Sequence, residues 1–167
     1  MQSIDDRNYE CLVQDILLDK DFNKMKDIKH HGMNRFDHSL RVSYYSYKIT
    51  KALGLDYEST ARAGLLHDFF FVDNHAVTIG ERGKTLIEHP DYALENAKSK
   101  FELNDKEENI IESHMFPVAL HIPRYLESWI VDIVDNGVAI WECYKAYSTQ
   151  LKPIANLMAL ISLFLFK

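Results

Sequence analysis

The chain has 167 residues, 47% of them apolar and 26% charged, with a formal net charge of -6. That length and apolar content suit one core, and the scattered four prolines and six glycines mark no linker, so a single domain over residues 1–167 is expected. Lysines and arginines are dispersed rather than gathered on a face, which together with the net charge argues against a nucleic-acid partner, and none is expected.

The acidic N-terminus lacks the basic-then-apolar layout of a secretory signal, and a cytoplasmic protein is expected. The apolar tail IANLMALISLFLF is short for a bilayer, so no membrane partner is expected. Placed after Pro153, the tail reads as a closing helix packed on the core. Cys11 and Cys143 have no metal-type spacing and read as small buried hydrophobes.

The periodicity is helical almost throughout, with no convincing alternating strand. In DHSLRVSYYSYKITKALG, His38, Val42, Tyr45, Ile49 and Ala52 recur at three- and four-residue intervals, with Asp37 as the start and Gly54 as the stop. This stripe turns His38 inward. DYESTARAGLLHDFF then aligns Tyr57, Ala61, Gly64, Leu65 and Asp68 behind an Asp56 cap, with His67 beside them. A polar loop from Asp73 to Thr85 follows, and Pro90 is placed in the first turn of the next helix, leaving His89 at its mouth. Asn104 caps NDKEENIIESHM, whose inward stripe is Ile110, Ile111 and His114. PRYLESWIVDIVDNGVAIWECYKAY is the longest periodic segment, and KPIANLMALISLFLF follows it. The fold class is therefore all-α, a helical bundle of roughly six or seven helices.

One buried histidine is ordinarily a hydrogen-bonded core residue. Several buried His and Asp residues on separate helices ask for a common explanation. A divalent cation satisfies them together, because it supplies the positive charge and coordination that each would otherwise lack. GERGKT ends like a phosphate-binding loop, but the first glycine of that motif would fall on Thr78, and no strand precedes it.

FDHSLRVS, GLLHD and IVDIVDNGVA together resemble the HD-domain superfamily of metal-dependent phosphohydrolases, from about His30 to Tyr147. The resemblance implies an α-helical bundle in which His38, His67, Asp68 and a late aspartate bind a divalent metal. Asp135 is preferred to Asp132 for the fourth place, since its neighbours on the helix are mostly apolar. His89 in IEHPDYA and His114 in IESHMFP match the extra histidines of members with paired metals, so one or two ions are both compatible. The expected metal is a divalent ion, with Mn, Fe, Co, Ni, Mg and Zn undistinguished. Asp68 and His67 are the expected catalytic centre, Asp68 orienting a metal-activated water or accepting its proton.

The expected substrate is a small phosphorylated molecule, nucleotide-like, with His31, Arg35, Arg82 and Lys84 as candidates for contacting its phosphate. Phe69, Phe70 and Phe71 stand where many relatives carry a polar residue after the His-Asp pair. Asp73, His75 and His31 are the replacements as leaving-group acid. The alternative expectation is a metal- or nucleotide-binding sensor without turnover, and a homo-oligomer is compatible with either.

Overall fold

A computed structural model describes residues 6–30, 33–71 and 79–165, with side chains described over 6–28, 33–71 and 84–148. Its helices are α1 (Arg7–Leu18), α2 (Lys20–Asn23), α3 (Arg35–Ala52), α4 (Tyr57–Leu66), α5 (Ile79–Lys100), α6 (Asp105–Ser113) and α7 (Leu126–Leu165). The expected all-α bundle is what the chain forms. A 3-10 turn over Lys24–Asp27 and a two-residue ribbon, β1 (Lys29–His30) antiparallel to β2 (Met33–Asn34), lead into α3.

Helix α4 is the centre of the bundle. Ser59, Thr60, Ala61, Ala63, Gly64, Leu65 and Leu66 are all buried, so it is held on several sides and meets solvent mainly along the edge of Glu58 and Arg62. Asp56 caps it by accepting from the Ser59 amide at 3.1 Å, as its position in the sequence indicates. α3 lies very close to it. A Cβ built on Gly64 would stand 3.1 Å from the Ser43 Cα, so a glycine is what allows the two backbones this approach.

That approach also corrects the expected α3 stripe. The inward face of α3 is Arg35, His38, Ser39, Val42, Ser43, Ser46 and Thr50, while Tyr45, Ile49 and Ala52 face solvent. Small hydroxyl side chains fit the narrow gap where large apolar ones do not. Ser43 Oγ donates to the Ala61 carbonyl at 2.6 Å and accepts from the buried Tyr9 hydroxyl at 2.7 Å, so its polarity is satisfied inside. The helix start differs as well: Asn34, not Asp37, is the cap, accepting from the Asp37 amide at 2.7 Å.

Three further expectations change. Residues 79–85, read as loop, are helical, and Pro90 lies inside α5 rather than at its start. α7 is one helix of 40 residues that continues through Pro153, so the tail is not a separate closing helix. Cys11 and Cys143 are both exposed on helix faces that the core does not use. Among the described residues, no helix is long and apolar enough to cross a membrane.

Substituting Gly64→Ala is expected to lower unfolding free energy by about 1–2 kcal/mol, even though alanine is the better helix former, because the methyl meets backbone that cannot rotate away. Denaturant unfolding measures this. A stabilised variant would mean that α3 and α4 separate freely.

Candidate metal centre

Six of the residues singled out in the sequence converge. His38, His67 and Asp68 form one buried group, His67, His114 and Asp135 a second, and Asp68, His89 and His114 a third, the ligand atoms within each lying inside 4.8 Å of one another. Asp68 is shared by the first and third groups, which otherwise have no residue in common.

The local structure explains how the imidazoles are aimed. His67 follows the last residue of α4 and His114 the last residue of α6, each as the C-cap. At a helix end the final carbonyls have no amide partner. His67 Nδ1 donates to the Gly64 carbonyl and His114 Nδ1 to the Ile111 carbonyl, both at 2.8 Å. His89 repeats the device in mid-helix. Pro90 has no N–H to give to Leu86 four residues earlier, and His89 Nδ1 donates to that carbonyl at 3.0 Å. A carbonyl can only accept, so Nδ1 carries a hydrogen in all three rings, and each ring when neutral has its lone pair on Nε2. The two helix C-termini add partial negative charge, which favours a cation between them.

Those lone pairs lack protein partners that would suit them. His67 Nε2 is buried with no hydrogen-bond partner; its nearest carboxylate oxygen, Asp135 Oδ1, is 3.6 Å away. Against its burial, the carboxylates of Asp135 and Asp68 raise the pKa of this ring, so positive charge is favoured at this position. His89 Nε2 and His114 Nε2 face each other at 2.9 Å, lone pair to lone pair. Neither ring takes up the missing proton readily: burial lowers the pKa of both, that of His114 to about 3, and the neighbouring His67 reinforces this. Asp68 Oδ1 lies 3.4 Å from His89 Nε2 and 3.8 Å from His114 Nε2. A donor set of imidazole nitrogens and carboxylate oxygens, short of positive charge, fits a divalent ion.

His38 is held differently. Its Nδ1 pairs with Glu142 Oε2 at 2.9 Å and its Nε2 with Asp135 Oδ1 at 2.8 Å. Burial opposes a charge on this ring, but hydrogen bonds to Asp135 and Glu142 prevail and lift its pKa to about 10. His67 is also raised, Asp135 and Asp68 together outweighing its burial. Asp135 is itself buried at a cost to its charge, and His38 and His67 reverse that cost and hold its carboxyl well below the usual carboxylate range.

Glu142 was not among the residues expected from the sequence. Its other oxygen accepts from Arg41 at 2.6 Å, so it anchors His38 from behind, as outer carboxylates anchor metal-binding histidines. A signal existed: Glu142 lies two turns beyond Asp135 on the same face of α7, a lone carboxylate in the apolar stretch GVAIWECY. The choice of Asp135 over Asp132 rests on contact rather than burial, since the two are 8% and 6% exposed. Asp132 belongs to none of the groups; burial and the charge of Asp135 raise its pKa to about 6.

The expected phosphate contacts are not gathered at the groups. Arg35 is wholly buried beneath the site instead of at its mouth, with its guanidinium 3.6 Å from the centre of the Phe70 ring, a hydrogen bond to the Phe70 carbonyl, and Nε 3.8 Å from Asp68 Oδ2. Lys84 is exposed on α5 and 3.8 Å from Glu88. The side chain of Arg82 and the residues His31, Asp73 and His75 lie outside those described. Phe69 is core, Phe71 is half-exposed, and Phe70 stacks against His89 with ring centres 4.9 Å apart.

The HD domain family model matches residues 35–139, a span that includes the whole motif from His38 to Asp135. The chain belongs to the HD-domain family. HD domains bind divalent metals, and hydrolase activity is the class that membership suggests. Relatives named Ribonuclease Y include one from Ureaplasma parvum, 32% identical over 145 residues, which are 80% of this chain and 27% of the relative. Another, from Mycoplasma capricolum, is 36% identical over 102 residues, 58% of this chain and 20% of the relative. The chain thus spans about a quarter of the length of these curated relatives. No solved structure matches.

The histidines predict how ion-free protein responds to pH. His38 binds its proton more tightly folded than unfolded, so its contribution to stability is complete below its ordinary pKa of 6.5 and is lost as pH rises through about 10. His114 has the opposite sign: its contribution is present above 6.5 and is lost as pH falls toward about 3. Denaturant midpoints measured in chelator across this range should peak near about pH 6.5. A steady rise through neutrality toward pH 9 would contradict the assignment.

Proposed function

We propose that the chain is a metal-dependent phosphohydrolase in which His38, His67, Asp68 and Asp135 hold one divalent ion, and Asp68, His89 and His114 hold a second. The observation that carries this reading is the overlap of the three buried ligand groups, in which His67, Asp68 and His114 each belong to two and Asp68 is the one carboxylate so shared. Its position supports a bridging role. The imidazole-rich donor set favours Mn, Fe, Co, Ni or Zn over Mg, which prefers oxygen. Bound ions supply neutralisation of the phosphate oxygens and a lowered pKa for water.

The chain's own residues do the rest. Asp68 orients the attacking water and accepts its proton, with the Arg35 guanidinium beside its second oxygen limiting its rotation. His67 holds the centre against α4, and Glu142 fixes the ring of His38. Phe70 covers the His89 side and keeps bulk water from screening the charges. The substrate class is a phosphoester of a small, nucleotide-like molecule; the net charge of -6 disfavours a long polyanion. A second reading is a phosphodiester in RNA, favoured by the relatives named Ribonuclease Y that match 80% of this chain.

Metal analysis joined to a substrate screen tests both. Protein loaded with Mn or Co should turn over nucleoside phosphomonoesters or cyclic and dinucleotide diesters. Release of nucleotides from short RNA, with small esters untouched, would shift the assignment to the second reading. Asp68→Asn should lose bound metal and lower turnover by more than ~100-fold, since outer partners alone are worth about 10–100-fold. His114→Ala should remove about half of the metal, as one ion of two. Stable metal binding with no turnover on any of these substrates would instead mark a sensor.

A further inference from the structure

Helix α7 has two faces, and the metal centre uses only one. Val131, Asp135, Val138 and Glu142 are buried on the inward side. On the opposite side Leu126, Ile130, Ile133, Gly137, Ile140 and Tyr144 succeed one another at alternating intervals of four and three residues, and Tyr147 continues the series. Ile133 is 65% exposed, Ile140 71% and Tyr144 70%. A surface helix of a globular protein ordinarily carries polar residues there.

The period is the informative part. Alternating steps of four and three average 3.5 residues, which keeps a seam facing one partner helix over many turns. From Leu126 to Tyr147 the steps keep one continuous apolar face over about six turns. Gly137 adds a second observation. A glycine inside a helix costs about 1 kcal/mol relative to alanine. Here an added Cβ would meet nothing within 4 Å, so nothing among the described residues requires the glycine, unlike Gly64 with its close neighbour on α3. A second backbone crossing at Gly137 would require it.

The occupant that fits is another copy of this chain. The seam contains no charged residue, so it is complementary to itself about a two-fold axis, with the half-exposed Trp129 and Trp141 at its flanks. Taking on the order of 100 Å² for each exposed apolar side chain, the face offers roughly 800 Å² per copy, which is what a stable interface buries on each partner. We propose that the outward face of α7 is a homodimer seam, helix against helix, with Gly137 at the crossing point. Pairing there braces from behind the helix that carries Asp135 and Glu142.

Sedimentation of the full chain from about 1 to 200 µM should give twice the 19.5 kDa chain mass. Ile133→Glu with Ile140→Glu should return it to the single-chain mass while far-UV circular dichroism keeps its helical signal. A separate variant avoids any loss of folding: in a Cys11→Ser, Cys143→Ser background, Ile133→Cys with Ile140→Cys, which flank the crossing point, should form a disulfide-linked dimer on mild oxidation. Single-chain mass for the unaltered protein throughout that range overturns the proposal, as does an oxidised Ile133→Cys, Ile140→Cys variant that stays monomeric. Flotation with phosphatidylcholine–phosphatidylglycerol vesicles that is lost in the Ile133→Glu, Ile140→Glu variant, without change of mass, assigns the face to lipid and overturns it too.

Discussion

Three buried imidazoles spend their Nδ1 hydrogens on carbonyls that their own helices cannot satisfy, and each is left with an Nε2 lone pair in the interior. Much of the architecture follows from that constraint. α4 and α6 stop where they do with a histidine closing the last turn, and α5 continues through Pro90 because His89 takes the carbonyl that the proline frees. The lone pairs then need positive charge, since burial and mutual repulsion keep protons off His89 and His114. Carboxylates from α7 and from the turn after α4 complete a set that a cation can neutralise and a core of leucines cannot.

Precision in that set depends on close packing elsewhere. Gly64 and Ser43 let α3 approach α4, and the same approach brings the His38 and His67 rings to 5.5 Å between centres. Arg35, buried under the site, ties the Phe70 carbonyl to α3 and stands next to Asp68, so the turn that carries Asp68 is held from below by a charge and an aromatic stack. The phenylalanines after the His-Asp pair therefore have a structural use: Phe69 fills the core and Phe70 walls the centre.

His38, Asp68 and His114 are legible in the sequence as polar groups on apolar stripes, with His67 beside them, while His89 and Asp135 are legible through the resemblance of their motifs. All six meet in space as the motif suggests. Glu142 lies outside the motif, which ends at Asp135, although its spacing of two turns points to the same face. The α3 stripe was misread for an energetic reason: periodicity counts hydrophobic residues, while a close helix pair selects small ones, so serines went inside and Tyr45 and Ile49 outside. Pro90 reads in the sequence as a helix start because a proline is usually excluded from helix interiors. Its cost is reduced here by a side-chain hydrogen bond that only three-dimensional structure reveals.

The central claim is that these Nε2 lone pairs and carboxylates surround metal ions. Anomalous X-ray scattering from crystals grown with Mn or Co tests it directly. The account predicts one peak about 2.0–2.3 Å from Nε2 of His38 and of His67, and a second at the same range from Nε2 of His89 and of His114, with Asp68 between them. Density confined to surface carboxylates, or no anomalous peak within the buried groups at saturating metal, would contradict it.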